Sequence, residues 1–166
     1  MKILLPVDGS PASLEAVRLV LRWVDEGLRA SVVVANVQEP ATLYELVRLH
    51  DAQAIERITA SAGAHALEVA QALLERADVE YEAQVATGQA AHLLVDLAER
   101  HGCDAICMGA RGLGTTGAEA IGSVAREVLQ SARVPVTIVP WSSPEASGLE
   151  DAEDDLTSDE DATPAR

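Results

Sequence analysis

The stretch Asp104-Ala-Ile-Cys-Met-Gly109-Ala-Arg-Gly112 leads from an apolar strand into a glycine-rich loop, and Gly122-Ser123 follows after nine further residues. Glycine lets a backbone pass close to a bulky group, because it has no Cβ atom. A Gly-Ser pair at the start of a helix directs free N–H groups and a hydroxyl outward, and the helix dipole there favours an anion. The spacing Gly-x2-Gly-x9-Gly-Ser between a strand and a helix therefore predicts a phosphate-binding loop.

Strand and helix patterns alternate along the rest of the chain. Short apolar runs predict strands at residues 2–7, 31–37, 79–86, 104–108 and 134–140. Apolar residues spaced by three and four predict helices at 11–28, 55–77, 89–100 and 120–132. This order predicts an α/β fold, an open doubly wound five-stranded parallel sheet with right-handed crossovers and helices on both faces. Ligands of such sheets bind outside the carboxyl ends of the strands, where Asp8, Val37 and Gly109 fall in the pattern.

The composition fits a core of small and aliphatic side chains. Hydrophobic residues make up 48% of the 166 residues, aromatic residues only 2%, and Phe is absent. Such residues are usual in strands that helices cover on both faces, and the length corresponds to one domain. The formal net charge of −15 disfavours nucleic acid and anionic membranes as partners, since both carry negative charge.

Residues 142–166 differ in composition from the rest of the chain. They contain nine acidic residues and a single arginine, with Pro, Ser and almost no large apolar side chain. A segment of this kind cannot bury enough apolar surface to fold. We therefore predict a domain at residues 1–141 and an acidic disordered tail at 142–166. A solubility role is the simpler interpretation of that tail, with a docking segment as the alternative.

Targeting and metal-binding signals are weak in this sequence. An apolar strand begins directly after Lys2, and no apolar run approaches the length of a membrane span. Cys103 and Cys107 lack a second pair, which is typical of reduced core residues rather than of a disulfide or zinc site. The four histidines include no i,i+4 pair with one another and have no matching Asp, Glu or Cys cluster. We expect a cytoplasmic protein without a side-chain metal site.

Three segments together resemble the universal stress protein family, in its ATP-binding branch. They are Ile3-Leu-Leu-Pro-Val-Asp8-Gly-Ser10, the spaced glycines from Gly109 to Ser123, and Val134-Pro-Val-Thr-Ile-Val139. The resemblance covers residues 1–141 and leaves out the acidic tail. It implies an adenine nucleotide alpha hydrolase-like sheet with strand order 3-2-1-4-5 and ATP at the ends of strands 1, 2 and 4. It also implies a stress-response role and a homodimer joined through the last strand.

The resemblance also implies particular site residues. Pro6, Val7 and Asp8 correspond to positions near adenine and ribose, and Val37 corresponds to the position on strand 2 that meets adenine. Met108 and Gly109 correspond to the end of strand 4. The phosphate contacts correspond to Gly112, Gly122, Ser123 and Val124. Arg111 lies within the same loop and is a weaker candidate for phosphate, because arginines in nucleotide loops only sometimes reach the ligand.

The sequence restricts how the phosphates are held. Lys2 is the only lysine, so a Walker A loop is impossible. Backbone N–H groups and hydroxyls must hold the triphosphate, helped by Mg²⁺ and Arg111. Without a fixed lysine or an evident general base, fast hydrolysis is not expected. We predict an ATP-dependent switch with slow or no turnover, and hence at most a slow ATPase.

Other readings of the same pattern are weaker. Gly112-Leu-Gly114-Thr-Thr-Gly117 matches a dinucleotide fingerprint, but the next strand ends at Ile138-Val139-Pro140 without the acid that would bind ribose. A receiver domain would need paired acids after strand 1, an Asp after strand 3 and a Lys after strand 5, and the sequence supplies Asp8 alone. The remaining alternative is a dimeric interaction module of the same fold that signals without nucleotide.

Overall fold

The computed structural model describes residues 1–38, 52–113 and 121–140, and for residues 52–62 it describes the backbone only. Five strands and four helices alternate along these segments. They are β1 (Lys2–Pro6), α1 (Pro11–Asp25), β2 (Ser31–Gln38), α2 (Ala52–Arg76), β3 (Tyr81–Thr87), α3 (Ala90–Arg100), β4 (Ala105–Gly109), α4 (Ser123–Ser131) and β5 (Val136–Val139). The predicted acidic tail at 142–166 lies outside the described residues.

The five strands form one parallel sheet in the order β3-β2-β1-β4-β5. Each neighbouring pair is parallel, with Ile3 opposite Val32 on one side and opposite Ala105 on the other. This topology confirms the predicted fold class and strand order. The chain reverses its direction of travel across the sheet between β1 and β4, and their carboxyl ends form the switch point at which such sheets bind ligands.

Two apolar layers enclose the sheet, one on each face. Alternate residues of β1 explain the division, because successive side chains of a strand point to opposite faces. Ile3 and Leu5 pack with α1 and α2, whereas Leu4 packs with α3 and α4. All three are fully buried. The absence of Phe is compatible with this arrangement, since Ala, Val, Leu and Ile fill both layers.

Strand β5 forms one edge of the sheet, and its hydrogen bonds show which residues face outward. The carbonyls of Pro135 and Val139 accept hydrogen bonds from the N–H groups of Ile106 and Ala110 on β4, at 2.9 and 2.8 Å. Because backbone groups alternate in direction along a parallel strand, Thr137 also faces β4. The N–H and C=O groups of Val136 and Ile138 therefore point away from the sheet. The strand begins at Val136, two residues later than predicted.

A group of charged side chains joins the amino-terminal end of the sheet. The Lys2 ammonium lies 3.3 Å from the Glu82 carboxylate, and Nδ1 of His101 lies 3.1 Å from the other oxygen of that carboxylate. The hydrogen bond and charge of Lys2 lower the pKa of Glu82, and His101 lowers it further. Nearby, Asp104 accepts a hydrogen bond from the backbone N–H of Lys2 at 2.7 Å. These contacts tie β1, β3 and the end of α3 together.

Both cysteines lie inside the protein as free thiols. Cys103 is 5% exposed and Cys107 is 1% exposed, so both are core residues, as predicted. Burial raises the pKa of Cys103 and raises the pKa of Cys107 to about 12. Of the helices that the structure describes, none combines the length and the apolar character needed to cross a membrane.

Candidate functional site

The candidate site begins where β1 ends. Pro6 and Val7 are buried, and Asp8 then emerges half-exposed at the carboxyl edge of the sheet. Gly9 turns the chain with a φ of +84°, a conformation that residues with a Cβ rarely adopt. Ser10 follows as the N-cap of α1, and its side-chain oxygen accepts a hydrogen bond from the N–H of Ser13 at 3.2 Å. The turn therefore sets the Asp8 carboxylate beside the start of α1.

The Asp8 carboxylate connects this turn to the loop after β4. One carboxylate oxygen accepts a hydrogen bond from the N–H of Ser10, and the other accepts one from the N–H of Leu113, both at 3.0 Å. In addition, the Ser10 hydroxyl donates to the carbonyl of Arg111 at 3.4 Å. Three predicted site residues, Asp8, Arg111 and Gly112, are thus brought together although about a hundred residues separate Asp8 from the others in the sequence.

Two of the spaced glycines, at the end of β4 and in the loop after it, make close contacts within the protein itself. A Cβ atom on Gly109 would lie 2.6 Å from the carbonyl carbon of Ala12, because the end of β4 packs directly on the first turn of α1. A Cβ atom on Gly112 would lie 2.5 Å from a carboxylate oxygen of Asp8. From the sequence we explained both glycines by the close approach of a phosphate. The structure gives each a reason that does not depend on any ligand.

The start of α4 has a different character. Gly122 is the N-cap and provides no side-chain hydrogen bond to the helix, and the first turn contains no acidic residue. The N–H of Gly122 donates to the carbonyl of Ala110 at 2.8 Å, which fixes the helix start against β4. Ser123 and Val124 are exposed. Helix α1 begins at the same edge with its Ser10 cap bonded, so of these two helix starts only that of α4 lacks a side-chain cap.

The end of β2 contains two amides that the sequence reasoning missed. Asn36 is 1% exposed, and its Nδ2 donates to the carbonyl of Val7 at 2.7 Å. Its Oδ1 accepts a hydrogen bond from Nε2 of Gln38 at 2.6 Å. These bonds tie the end of β2 to the end of β1 beside the half-buried Val37. A polar residue within the apolar run of β2 was the available signal, since a buried amide needs a partner.

The remaining predicted positions are either more deeply buried or fall in segments that the structure describes only in part. Met108 is 5% exposed and its side chain packs in the layer under α3 and α4, so its backbone is the part near the edge. Residues 114–120, which include most of the dinucleotide-like fingerprint, lie outside the described residues. Within the part of the chain that the structure describes, no group of three or more His, Cys, Asp or Glu side chains could hold a metal ion.

Comparison of the sequence with known protein families gives a match over nearly the whole of the predicted domain. A model described as the universal stress protein family matches residues 1–140. The chain belongs to the universal stress protein family. A universal stress protein of Methanocaldococcus jannaschii is 31% identical over 140 residues, which cover 83% of this chain and 81% of that protein. The family that the sequence resembled is thereby confirmed.

Solved structures share the fold at lower sequence identity. The universal stress protein UspA of Lactobacillus plantarum matches with a TM-score of 0.70 and 20% identity, over 84% of this chain and 97% of that one. A universal stress protein solved in complex with cAMP matches with a TM-score of 0.60 and 22% identity, over 86% and 98% of the two chains. A family protein of Arabidopsis thaliana with AMP bound matches with a TM-score of 0.62 and 16% identity, over 87% and 94%.

Proposed function

We propose that this universal stress protein binds ATP at the carboxyl edge of its sheet and acts as a regulatory switch in a stress response. The observation that carries the proposal is the uncapped start of α4, with Gly122 and Ser123 beside the loop that Asp8 holds. Free N–H groups and the positive end of a helix dipole favour a phosphate group. Family members of the same fold that were solved with AMP or cAMP support an adenine nucleotide as the ligand.

In this proposal the site residues divide between the two ends of the nucleotide. Adenine and ribose lie against Pro6, Val7, Asp8 and Val37, with a hydroxyl of the ribose donating to the Asp8 carboxylate. The phosphates lie against the end of β4 and the start of α4. Their contacts come from Gly112, Gly122, Ser123 and Val124, with Arg111 as an additional candidate, and Met108 and Gly109 form the end of β4 beside them.

Magnesium fits this site as a companion of the triphosphate. Mg²⁺ keeps several water ligands and commonly binds proteins through one or two carboxylates together with substrate phosphates. The described residues supply no acidic cluster that would hold the ion by itself. The phosphate oxygens of the nucleotide, together with water, would therefore provide most of its ligands, and the ion would neutralise charge on the triphosphate.

Slow turnover follows from the composition of the site. The only lysine, Lys2, lies at the amino-terminal end of the sheet, opposite to the candidate site. Asp8 is already bonded to two backbone N–H groups, which makes it a poor base for activating water. We expect phosphate release far slower than about 1 s⁻¹, the lower end of ordinary enzyme rates. A continuous phosphate assay at saturating ATP measures it.

A second candidate function is a dimeric interaction module that needs no nucleotide. It is favoured by the close contact of Gly109 with the backbone of Ala12 and, less strongly, by that of Gly112 with Asp8, because these contacts account for the two glycines without a phosphate. Gly122 and Ser123 then remain as the specific argument for a ligand. Under either function we propose a homodimer through β5, a cytoplasmic location, a domain of residues 1–141 and a solubility role for residues 142–166.

Calorimetric titration with Mg·ATP tests the proposed function. We expect binding in roughly the micromolar range, as several backbone N–H groups on one triphosphate can provide. Replacing Gly122 by valine should abolish it, because a branched side chain would occupy the phosphate path at the start of α4. The φ and ψ of Gly122, −69° and 163°, suit any residue, so the backbone itself tolerates the change.

Ala132→Val provides the matched control. Ala132 is the C-cap of the same helix, with φ of −66° and ψ of 141°. A valine there has nearly the same backbone conformation as at Gly122 but lies at the opposite end of the helix. We expect this variant to bind ATP like the wild type. A wild-type protein that shows no heat of binding and no change in melting temperature at millimolar ATP would contradict the proposal and support the interaction module.

A further inference from the structure

The two oxygens of the Asp8 carboxylate have separate partners in two different loops. The N–H of Ser10 bonds one oxygen within the β1–α1 turn, and the N–H of Leu113 bonds the other from the loop after β4. Gly112 allows this approach, since a Cβ there would lie 2.5 Å from the oxygen that Leu113 contacts. A single carboxylate therefore fixes the separation between the turn near the sugar and the loop near the phosphates.

We propose that Asp8 is a positioning residue for the phosphate loop, in addition to being a ribose acceptor, and that it couples the two halves of the nucleotide site. The inference rests on the proposed function. A carboxylate has about four lone-pair positions, and the two backbone N–H groups use two of them. A ribose hydroxyl can bind at a remaining position without displacing Leu113. Binding of the sugar and the hydrogen bond from Leu113 to Asp8 then stabilise each other.

The coupling predicts an effect whose sign distinguishes it from charge repulsion. An aspartate close to a triphosphate repels it, so repulsion alone would make Asp8→Asn bind ATP better relative to adenosine. Positioning predicts the opposite. An asparagine has one carbonyl oxygen in place of two carboxylate oxygens and cannot accept from Ser10 and Leu113 in the same way. One of the two N–H groups loses its acceptor, the link between the turn and the loop is broken, and the phosphate contacts weaken most.

The decisive experiment measures adenosine, AMP, ADP and ATP binding to the wild type and to Asp8→Asn, by displacement of a fluorescent ATP analogue. We expect the affinity loss to grow along the series, with the ratio of ATP to adenosine affinity falling about tenfold. The control is Asp104→Asn, because Asp104 also accepts a backbone N–H, that of Lys2, but at the opposite end of the sheet. That variant should keep the wild-type ratios. Melting curves establish that both variants fold.

A second measurement follows hydrogen exchange at the two backbone amides that donate to Asp8. Coupling between two sites is reciprocal, so adenosine, which has no phosphate, should slow hydrogen exchange at the amide of Leu113 in the wild-type protein. A molecule that merely fills the sugar subsite would leave that amide unchanged. When no nucleotide is present, the amide of Ser10 or of Leu113, whichever loses its acceptor, should exchange faster in Asp8→Asn than in Asp104→Asn.

Different failures have different meanings. If Asp8→Asn lowers the affinity for all four ligands by the same factor, Asp8 makes a simple ribose contact. That result would overturn the positioning role, while the proposed ATP function would stand. A higher ratio of ATP affinity to adenosine affinity in Asp8→Asn than in the wild type would also overturn the positioning role, and would indicate charge repulsion between Asp8 and the triphosphate. A wild-type protein that binds none of the four ligands would overturn both the proposed function and the coupling. Unchanged exchange at the amides of both Ser10 and Leu113 in Asp8→Asn overturns the link between the turn and the loop in any case.

Discussion

Gly109 lies where the end of β4 meets the first turn of α1, and its missing Cβ sets how closely the two can pack. The atom that a Cβ would meet at 2.6 Å belongs to the backbone of Ala12, which cannot rotate away as a side chain can. We expect Gly109→Ala to lower the free energy of unfolding by about 1–3 kcal/mol, the usual range for overpacking. Urea denaturation of the purified variant measures it.

Gly112→Ala is the comparison for that prediction. Its Cβ would meet the carboxylate of Asp8, the end of a half-exposed side chain that can move. The loss of stability should therefore be clearly smaller than for Gly109→Ala. Equal losses in the two variants would show that the backbone contact at Ala12 is not the reason for Gly109.

For individual residues, the sequence pattern indicated where the glycines of the candidate site are, but not why they are needed there. The glycine spacing drew attention to Gly109 and Gly112, but it contains no information on the distance to Ala12 or to Asp8, which only tertiary packing creates. Asn36 was missed for a related reason. An amide in an apolar strand becomes informative only once its partner, the carbonyl of Val7, is known to be adjacent.

Among the elements, β5 allows the sharpest test, because its outward residues are known. If β5 of one copy pairs with β5 of another, the outward N–H groups form that pairing. Ile138→Pro deletes such an N–H without removing a hydrogen bond between β4 and β5, and we expect it to shift the protein from dimer to monomer. Light scattering at several concentrations measures the mass.

Thr137→Pro should behave in the opposite way. Its N–H faces β4 inside the sheet, so its loss removes a bond of the monomer itself and should lower the melting temperature. The sequence predicted an apolar edge strand at this place, but it could not tell which of two adjacent residues faces outward. A wild-type protein that remains monomeric at high concentration would refute the pairing model.

The contacts of Glu82 join three elements and should depend on pH. Its pKa is lowered in the folded protein, chiefly by Lys2, so the unfolded chain binds a proton at this residue more readily. Stability from Glu82 is therefore present at neutral pH and decreases as the pH falls into the acidic range through the lowered pKa. Glu82→Gln should make the denaturation midpoint less dependent on pH in that range. An unchanged dependence would assign the acid sensitivity to other carboxylates.

The order and type of the elements could be predicted because each has a clear pattern. Strands covered on both faces, such as β2, are continuous apolar runs, and the helices have apolar residues at spacings of three and four. The ends were less certain. Helix α1 stops at Asp25, although apolar residues continue to Leu28, because Gly27 turns the chain with a φ of +108°.

For the whole molecule, the division of charge suggests that the acidic tail and the folded domain act separately. Of the net charge of −15, residues 142–166 contribute nine acids and one arginine, a net −8, and residues 1–141 contribute the other −7. We expect a chain that ends at residue 141 to keep its melting temperature and its ATP affinity and to be less soluble, since net charge supports solubility. A drop in melting temperature would indicate that the tail packs on the domain.

The buried cysteines have a practical consequence for studying this protein. With a pKa of about 12, roughly one Cys107 thiol in 10⁵ is ionised at neutral pH, and alkylating reagents attack only the ionised, accessible form. Iodoacetamide should therefore label the cysteines only when the protein unfolds and exposes them. The rate of labelling would report unfolding directly, without an added dye and without using either tryptophan.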